Sequence, residues 1–308
     1  PLEVPFMVLR KLRLFIARMK QDGLIFPLKE VQPCEMRQDE TFNNRVPLEI
    51  EVFDSDEAKN NNQPDAVLRG ILCQSIKQNA PTLICAMGQS QNVEAARHYI
   101  PAEIFHSFNI VLVNYRGYGT VNGTDKQKAR GSSGEPSARA LERDILTVYD
   151  HIQQKFGYSN FYAVGVSLGS AVVTYLSKHR KLSGQLLVVP FDTMIKQAYD
   201  FLVNYYNLTD ITLDDVSSVL DHDFDSIQNM KNNHTPTYII RAGADSYIKP
   251  ERTLSLMKHI KNLRSELVIE HADHNFGGEN PDILNALRFG VGAMLTNFLN
   301  DALVKNNS

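Results

Sequence analysis

Phe161-Tyr162-Ala163-Val164-Gly165-Val166-Ser167-Leu168-Gly169-Ser170 is the stretch from which the rest of the chain can be read. A short apolar run climbs into a tight turn, and Ala171-Val172-Val173-Thr174-Tyr175-Leu176 can carry on from it as a helix. Glycine stands two residues to either side of Ser167, which fits a strand–turn–helix elbow. In such an elbow the serine is held in a strained backbone conformation, and the glycines spare the neighbouring strand and helix a Cβ clash. The turn lifts the serine hydroxyl above the sheet edge and leaves the Leu168 amide open at a helix N-terminus. Gly-x-Ser-x-Gly also arises by chance, so the reading depends on a strand before it and a helix after it. The pattern supplies both.

Upstream, residues 46–53 alternate like a strand exposed on one side, and the Asn- and Asp-rich residues 54–65 read as a polar loop with nothing to bury. Residues 66–73 give a second strand, and residues 81–87 a third, whose unbroken apolar run predicts a central strand buried on both faces. After a polar turn at residues 88–92, a helix is expected over 93–105. The next buried strand, 109–115, ends in Arg116-Gly117-Tyr118-Gly119. A polar stretch then leads to a helix over 137–156, with Glu142 and Asp144 in its early turns.

Downstream of the elbow helix come a strand at 185–191, an aromatic-rich segment at 192–235, a strand at 237–243 and a helix at 250–262. A last strand at 266–270 and a terminal helix at 280–300 complete the order. In the aromatic segment Tyr199, Leu202 and Tyr206 share one helical face, and Phe201 and Tyr205 form an i, i+4 pair. Repeated strand–helix alternation predicts an α/β fold: a mostly parallel sheet, helices on both faces, and sites at the C-terminal ends of strands. The expected organisation is an extension over 1–45 and one domain over 46–300. Residues 192–235 form a small cap-like helical insertion after the sixth strand, and 301–308 a tail.

A chain of 308 residues buries enough apolar surface to need no disulfide or metal staple. A net charge of −3 and a pI near 6.3 argue against nucleic acid as a partner. Cys34, Cys73 and Cys85 have no metal-ligand spacing, and the latter two lie in strand-like runs as buried thiols, which suits a reducing compartment. No apolar run approaches the roughly 18 residues that a membrane span needs. Residues 6–20 read as an amphipathic helix, with Val8, Leu12, Phe15 and Met19 on one face and Arg10, Arg13, Arg18 and Lys20 among the basic residues elsewhere. It packs on the domain with a solvated basic face, or lies on an anionic membrane surface. No signal peptide is visible after Pro1, so the expectation spans a cytoplasmic or secreted protein, with peripheral membrane contact through residues 6–20.

A serine hydroxyl is a poor nucleophile at neutral pH and needs a base held in place by an acid. The partners are expected at other strand ends. His274 lies four residues beyond the last strand in Glu270-His271-Ala272-Asp273-His274-Asn275, and Asp245 follows the preceding strand in Gly243-Ala244-Asp245-Ser246-Tyr247. The order Ser167, Asp245, His274 is the one this elbow requires. His271 is the rival base, set aside because it directly adjoins the strand. Asp192 is the rival acid, with capping of the next helix as its other task, and Asp273 reads as solvated. An oxyanion at the acyl carbon needs two preorganised N–H donors. Leu168 supplies one, and the turn after the third strand supplies the other at Gln89, with Gly88 letting the backbone approach.

With these pieces in place, the chain resembles the α/β-hydrolase superfamily over about residues 46–300, and within it serine hydrolases of the Bem46-like group, which includes protein depalmitoylases. The matching pieces are Asn114-Tyr115-Arg116-Gly117-Tyr118-Gly119, Ser133-Gly134-Glu135-Pro136-Ser137, the elbow, Pro190-Phe191-Asp192-Thr193, Ala244-Asp245-Ser246-Tyr247-Ile248-Lys249-Pro250 and Ala272-Asp273-His274-Asn275. The resemblance implies Ser167 as nucleophile, Asp245 as acid and His274 as base. It also implies no cofactor, and substrates that are esters, thioesters or sometimes amides, lipids and acylated proteins among them. Two departures stand out. Met87-Gly88 replaces the usual His-Gly, and residues 121–132 separate two pieces that are normally close. That insertion reads as a surface loop or as a flap over the site mouth. The rival readings are a non-catalytic scaffold that binds a ligand or partner, and a membrane-surface acyltransferase or lipid hydrolase.

Overall fold

Alternation along each strand decides which layer its side chains enter. In strand β3 (Thr82–Ala86), Leu83 and Cys85 join one apolar cluster while Ile84 and Ala86 join the other. Strand β5 (Phe161–Val166) divides the same way, Phe161 and Ala163 against Tyr162, Val164 and Val166. Both strands are buried along their whole length, as continuous apolar runs require. The computed structural model describes residues 44–89, 91–93, 96–119, 131–220, 224–277 and 280–306, apart from the side chains of 97, 98 and 301–306. The expected N-terminal helix at 6–20 and Cys34 lie outside the described residues, as does nearly all of the 121–132 insertion.

The remaining strands are β1 (Arg45–Val52), β2 (Ala66–Cys73), β4 (Asn109–Val113), β6 (Gly184–Val188), β7 (Thr237–Ala242) and β8 (Leu263–Ile269). They form one sheet in the order β1-β2-β4-β3-β5-β6-β7-β8. The β1–β2 and β2–β4 pairings are antiparallel and all others parallel. Helices α1 (Asp56–Asn60), α2 (Ala96–Tyr99), α3 (Ala102–Ser107), α4 (Ala138–Phe156) and α5 (Leu168–His179) alternate with the first strands. After β6 come α6 (Met194–Tyr206), α7 (Leu213–Val219) and α8 (Ser226–Met230), then α9 (Pro250–Met257) and α10 (Pro281–Asn306). Leu141, Val148, Val172 and Leu176 carry α4 and α5 onto one sheet face. Tyr99, Phe105, Val291 and Phe298 carry α2, α3 and α10 onto the other. Cys73 and Cys85 are buried, and burial pushes the Cys85 thiol far up, which leaves it inert.

Four elements differ from expectation. The 54–65 segment is not all loop: Ser55 accepts from the Ala58 amide at 3.1 Å, starts α1 and buries Ala58. The helix expected over 93–105 is two short helices, because Pro101 is extended (φ −62°, ψ 150°) and starts α3 afresh. The last strand begins at Leu263, and the terminal helix runs to Asn306, into the expected tail. Asp144 serves more than a helix opening. It is buried, and Arg116 Nε donates to both its carboxylate oxygens at 2.9 Å while Nη2 donates at 2.6 Å. The same guanidinium reaches Asp54 at 2.6 and 3.0 Å. Arg116 holds the Asp54 carboxyl below the usual range, while burial holds Asp144 up.

The insertion interrupts the sequence without separating its flanks. Gly117 N–H donates to the Ser132 carbonyl at 3.1 Å, and Ser132 N–H to Tyr118 at 3.0 Å. Ser132 itself is fully buried, its hydroxyl donating to the Asn114 carbonyl at 2.7 Å. Arg116 therefore stands in a fixed turn that several segments share. Replacing it by Met strands the buried Asp144 carboxylate and should cost about 3–5 kcal/mol in urea unfolding. Joint replacement of Arg116 by Met and Asp144 by Leu should recover most of that loss.

Candidate active site

The elbow follows from backbone contact. A Cβ on Gly169 would lie 1.9 Å from the Ala86 carbonyl oxygen, and one on Gly165 would lie 2.5 Å from that of Gly169. Only glycine lets α5 start this close to β3 and β5. Between the two, Ser167 takes φ 52° and ψ −115°, a conformation costly for a residue with a side chain. Its N–H donates to the Val188 carbonyl at 2.9 Å, and its carbonyl accepts from the Ser170 hydroxyl at 2.6 Å. Leu168 is the first residue of α5, so its N–H belongs to the turn that has no intrahelical acceptor.

Ser167 Oγ lies 3.1 Å from His274 Nε2, and His274 Nδ1 lies 2.8 Å from Asp245 Oδ2. The other Asp245 oxygen accepts from the Tyr247 and Ile248 amides at 2.9 and 2.8 Å, which fixes the carboxylate plane. With the carboxylate at Nδ1, that nitrogen carries the proton and Nε2 faces the hydroxyl as acceptor. Asp245 has 2% side-chain exposure and His274 17%, so the acid is dry while the imidazole edge meets the cleft. The structure thus brings Ser167, His274 and Asp245 together. His271 and Asp273 are exposed, and Asp273 accepts from the Asn275 amide. Asp192 is fully buried but faces elsewhere. It accepts from the Thr193 amide at 2.8 Å and from Lys196 at 2.9 Å, and it pairs with Arg252 at 3.4 Å. It does not cap α6 itself, since Thr193 is the N-cap.

Gln89 follows β3 beside the elbow, and both it and Gly88 line the cleft with Ser167. The Gly88 amide is engaged: it donates to Gln91 Oε1 at 2.8 Å, so it is not a donor toward Ser167. Gln91 Nε2 in turn donates to the Tyr99 hydroxyl at 2.7 Å, and the Tyr115 hydroxyl donates to the Met87 carbonyl at 2.7 Å. Burial pushes the Tyr115 phenol well up and keeps it a donor. Met87 packs its side chain into the apolar cluster under the turn. Gln91, Tyr99 and Tyr115 therefore hold this turn in a chain that lacks the usual histidine.

Sequence reading also passed over Tyr247. Its ring lies 4.9 Å from the His274 ring at 39°, and its hydroxyl donates to Gln89 Oε1 at 3.2 Å. An aromatic two residues after a strand-end aspartate was the available signal. The aromatic segment splits its duties: Leu202 packs with Ile211 and Val216 of α7, while Met194, Ala198 and Phe201 face a pocket beside Ser167. Among the described residues, no cluster of His, Cys, Asp and Glu has the makings of a metal site, and no helix is long and apolar enough to cross a membrane.

An esterase of Pyrococcus furiosus superposes with a TM-score of 0.59 at 15% identity, covering 84% of this chain and 91% of that one. The α/β-hydrolase GrgF of a Penicillium species superposes at 0.54 and 16% identity, covering 80% and 97%. This chain has the α/β-hydrolase fold. No family model matches it. Lysophosphatidylserine lipase ABHD12 of Danio rerio is 27% identical over 150 residues, 46% of this chain and 36% of that protein. The Rattus norvegicus protein is 24% identical over 204 residues, 60% of this chain and 48% of that one. The chain is thus distantly homologous to ABHD12, and its matches span less than half the length of those relatives. Gly169→Ala must push α5 off β3. Thermal unfolding should show a loss of about 1–3 kcal/mol or more, the cost of overpacking a rigid contact.

Proposed function

We propose that this α/β-hydrolase cleaves a carboxylic ester or thioester through an acyl-enzyme on Ser167. The observation that carries the reading is the unbroken relay from Ser167 Oγ through His274 to Asp245, at 3.1 and 2.8 Å. His274 Nε2 takes the hydroxyl proton as Ser167 attacks the acyl carbon, then returns it to the departing alcohol or thiol. Water enters next and loses a proton to the same nitrogen as its oxygen attacks the acyl carbon; the bond from that carbon to Ser167 Oγ then breaks, Oγ takes the proton back from His274, and the acid leaves. Asp245 keeps the proton on Nδ1 and stabilises the imidazolium. The negative oxygen of the intermediate falls to the Leu168 amide and, from the β3 turn, the Gln89 amide. Each such donor is worth roughly 3–4 kcal/mol in the transition state.

The lipase relatives and the apolar pocket beside Leu168 favour an ester with an apolar acyl part. A scaffold that only bound a partner would have no need for a strained Ser167 or for an acid with both oxygens engaged. A fluorophosphonate probe should label the wild type, and Ser167→Ala should abolish the labelling. On a nitrophenyl ester, Ser167→Ala and His274→Ala should each lower kcat by about 10⁶, and Asp245→Asn by about 10⁴. An unlabelled wild type, or equal labelling of Ser167→Ala, overturns the reading.

A further inference from the structure

Ser167 sits where two cavities meet. One is an apolar pocket of about 80 Å³ walled by Leu168, Phe191, Met194, Ala198, Phe201 and Ile248. The other is a cleft of about 380 Å³ with Gln91, Tyr99, Ser246, Asp273, His274 and Asn275 among its walls. Ser167, Gln89 and Tyr247 line both. His274 lines the cleft and not the pocket, and Leu168 the pocket and not the cleft.

This division has a chemical consequence. The leaving group collects its proton from His274 Nε2, so it departs on the cleft side. The oxyanion points to the Leu168 amide, which leaves the apolar pocket for the acyl chain. Between the two stands Tyr247. Its hydroxyl donates to Gln89 Oε1 at 3.2 Å, and its carbonyl accepts from Gln197 Nε2 of α6 at 2.7 Å. Its ring meets Phe201 edge-on at 5.6 Å on the pocket side and the imidazole at 4.9 Å on the cleft side. Burial pushes the phenol up, so the hydroxyl stays a neutral donor at ordinary pH.

We propose that the Tyr247–Gln89 hydrogen bond is a wall that sets the acyl length, making this site selective for a short acyl group on a polar leaving group. The proposal rests on Ser167 acting as nucleophile. A longer acyl chain must break the bond and spill from the small pocket into the cleft. Tyr247 is here a specificity residue, acting with the side chain of Gln89.

The test measures kcat/KM for nitrophenyl esters from acetyl to decanoyl, and for butyrate esters of glycerol and of hexanol. The wild type should favour butyryl over decanoyl by about tenfold or more, and glycerol butyrate over hexyl butyrate. Tyr247→Phe keeps the ring and Gln89→Ala keeps the backbone amide, yet each should raise the decanoyl-to-butyryl ratio by about tenfold. The double variant should go no further, because both changes delete one bond. A ratio unmoved in both variants, or a wild type that prefers decanoyl, overturns the wall. A preference for hexyl butyrate overturns the placing of the leaving group. Fluorophosphonate labelling of each protein separates the failures: labelled proteins with an unmoved ratio sink the wall alone, and an unlabelled wild type sinks the nucleophile with it.

Discussion

The contact of Gly169 with the Ala86 carbonyl is the constraint on which the site depends. With no room for a Cβ at either Gly165 or Gly169, α5 starts in backbone contact with the end of β3. That contact is what sets the Leu168 amide beside the turn carrying Gln89, two groups that are 79 residues apart in sequence. The strained φ of Ser167 is the cost of this approach. It is held by the surrounding bonds, to Val188 on one side and Ser170 on the other.

Sheet order then determines which residues meet the serine. Strands β3, β5, β6, β7 and β8 run parallel in that order, so the turns after them share one edge. The register pairs Ala242 with Ile269, and Gly243 and Ala244 continue by donating to Ile269 and Ala272. The residues that follow β7 and β8 thereby stay level, and Asp245 meets His274. Asp192 also follows a strand next to β5, which is why it rivals Asp245 on paper. Its carboxylate turns instead toward Lys196 and Arg252, two cations on α6 and α9. Position at a strand end makes a residue eligible, and neighbouring charge decides where it points.

That distinction also marks what was legible in the sequence. The elbow and the alternation of strands with helices are local patterns, and Asp245 and His274 are each marked by their place just after a strand; the geometry keeps them together. The break at Pro101 was equally local, since a proline cannot continue the helix before it. The pairing of Arg116 with Asp54 and Asp144 was not, because these side chains meet only once the sheet and the packing of α4 against β1 bring their segments together. The support of the β3 turn by Gln91, Tyr99 and Tyr115 is of the same kind. Met87 showed that a usual side chain was missing; which residues hold the turn in its stead depends on rotamers and depth that spacing does not encode.

Tyr247 joins these levels. The turn that presents Asp245 to His274 closes by donating the Tyr247 and Ile248 amides to the acid, so the backbone of residue 247 is committed to holding the carboxylate. Its side chain is not. The ring is directed over the imidazole and toward Gln89 because the amide is turned inward, and Gln197 of α6 holds the carbonyl from the far side. One residue thus serves the acid with its main chain and the shape of the cavity with its side chain. A change of side chain there can alter which substrate fits while leaving in place the amide that the acid requires.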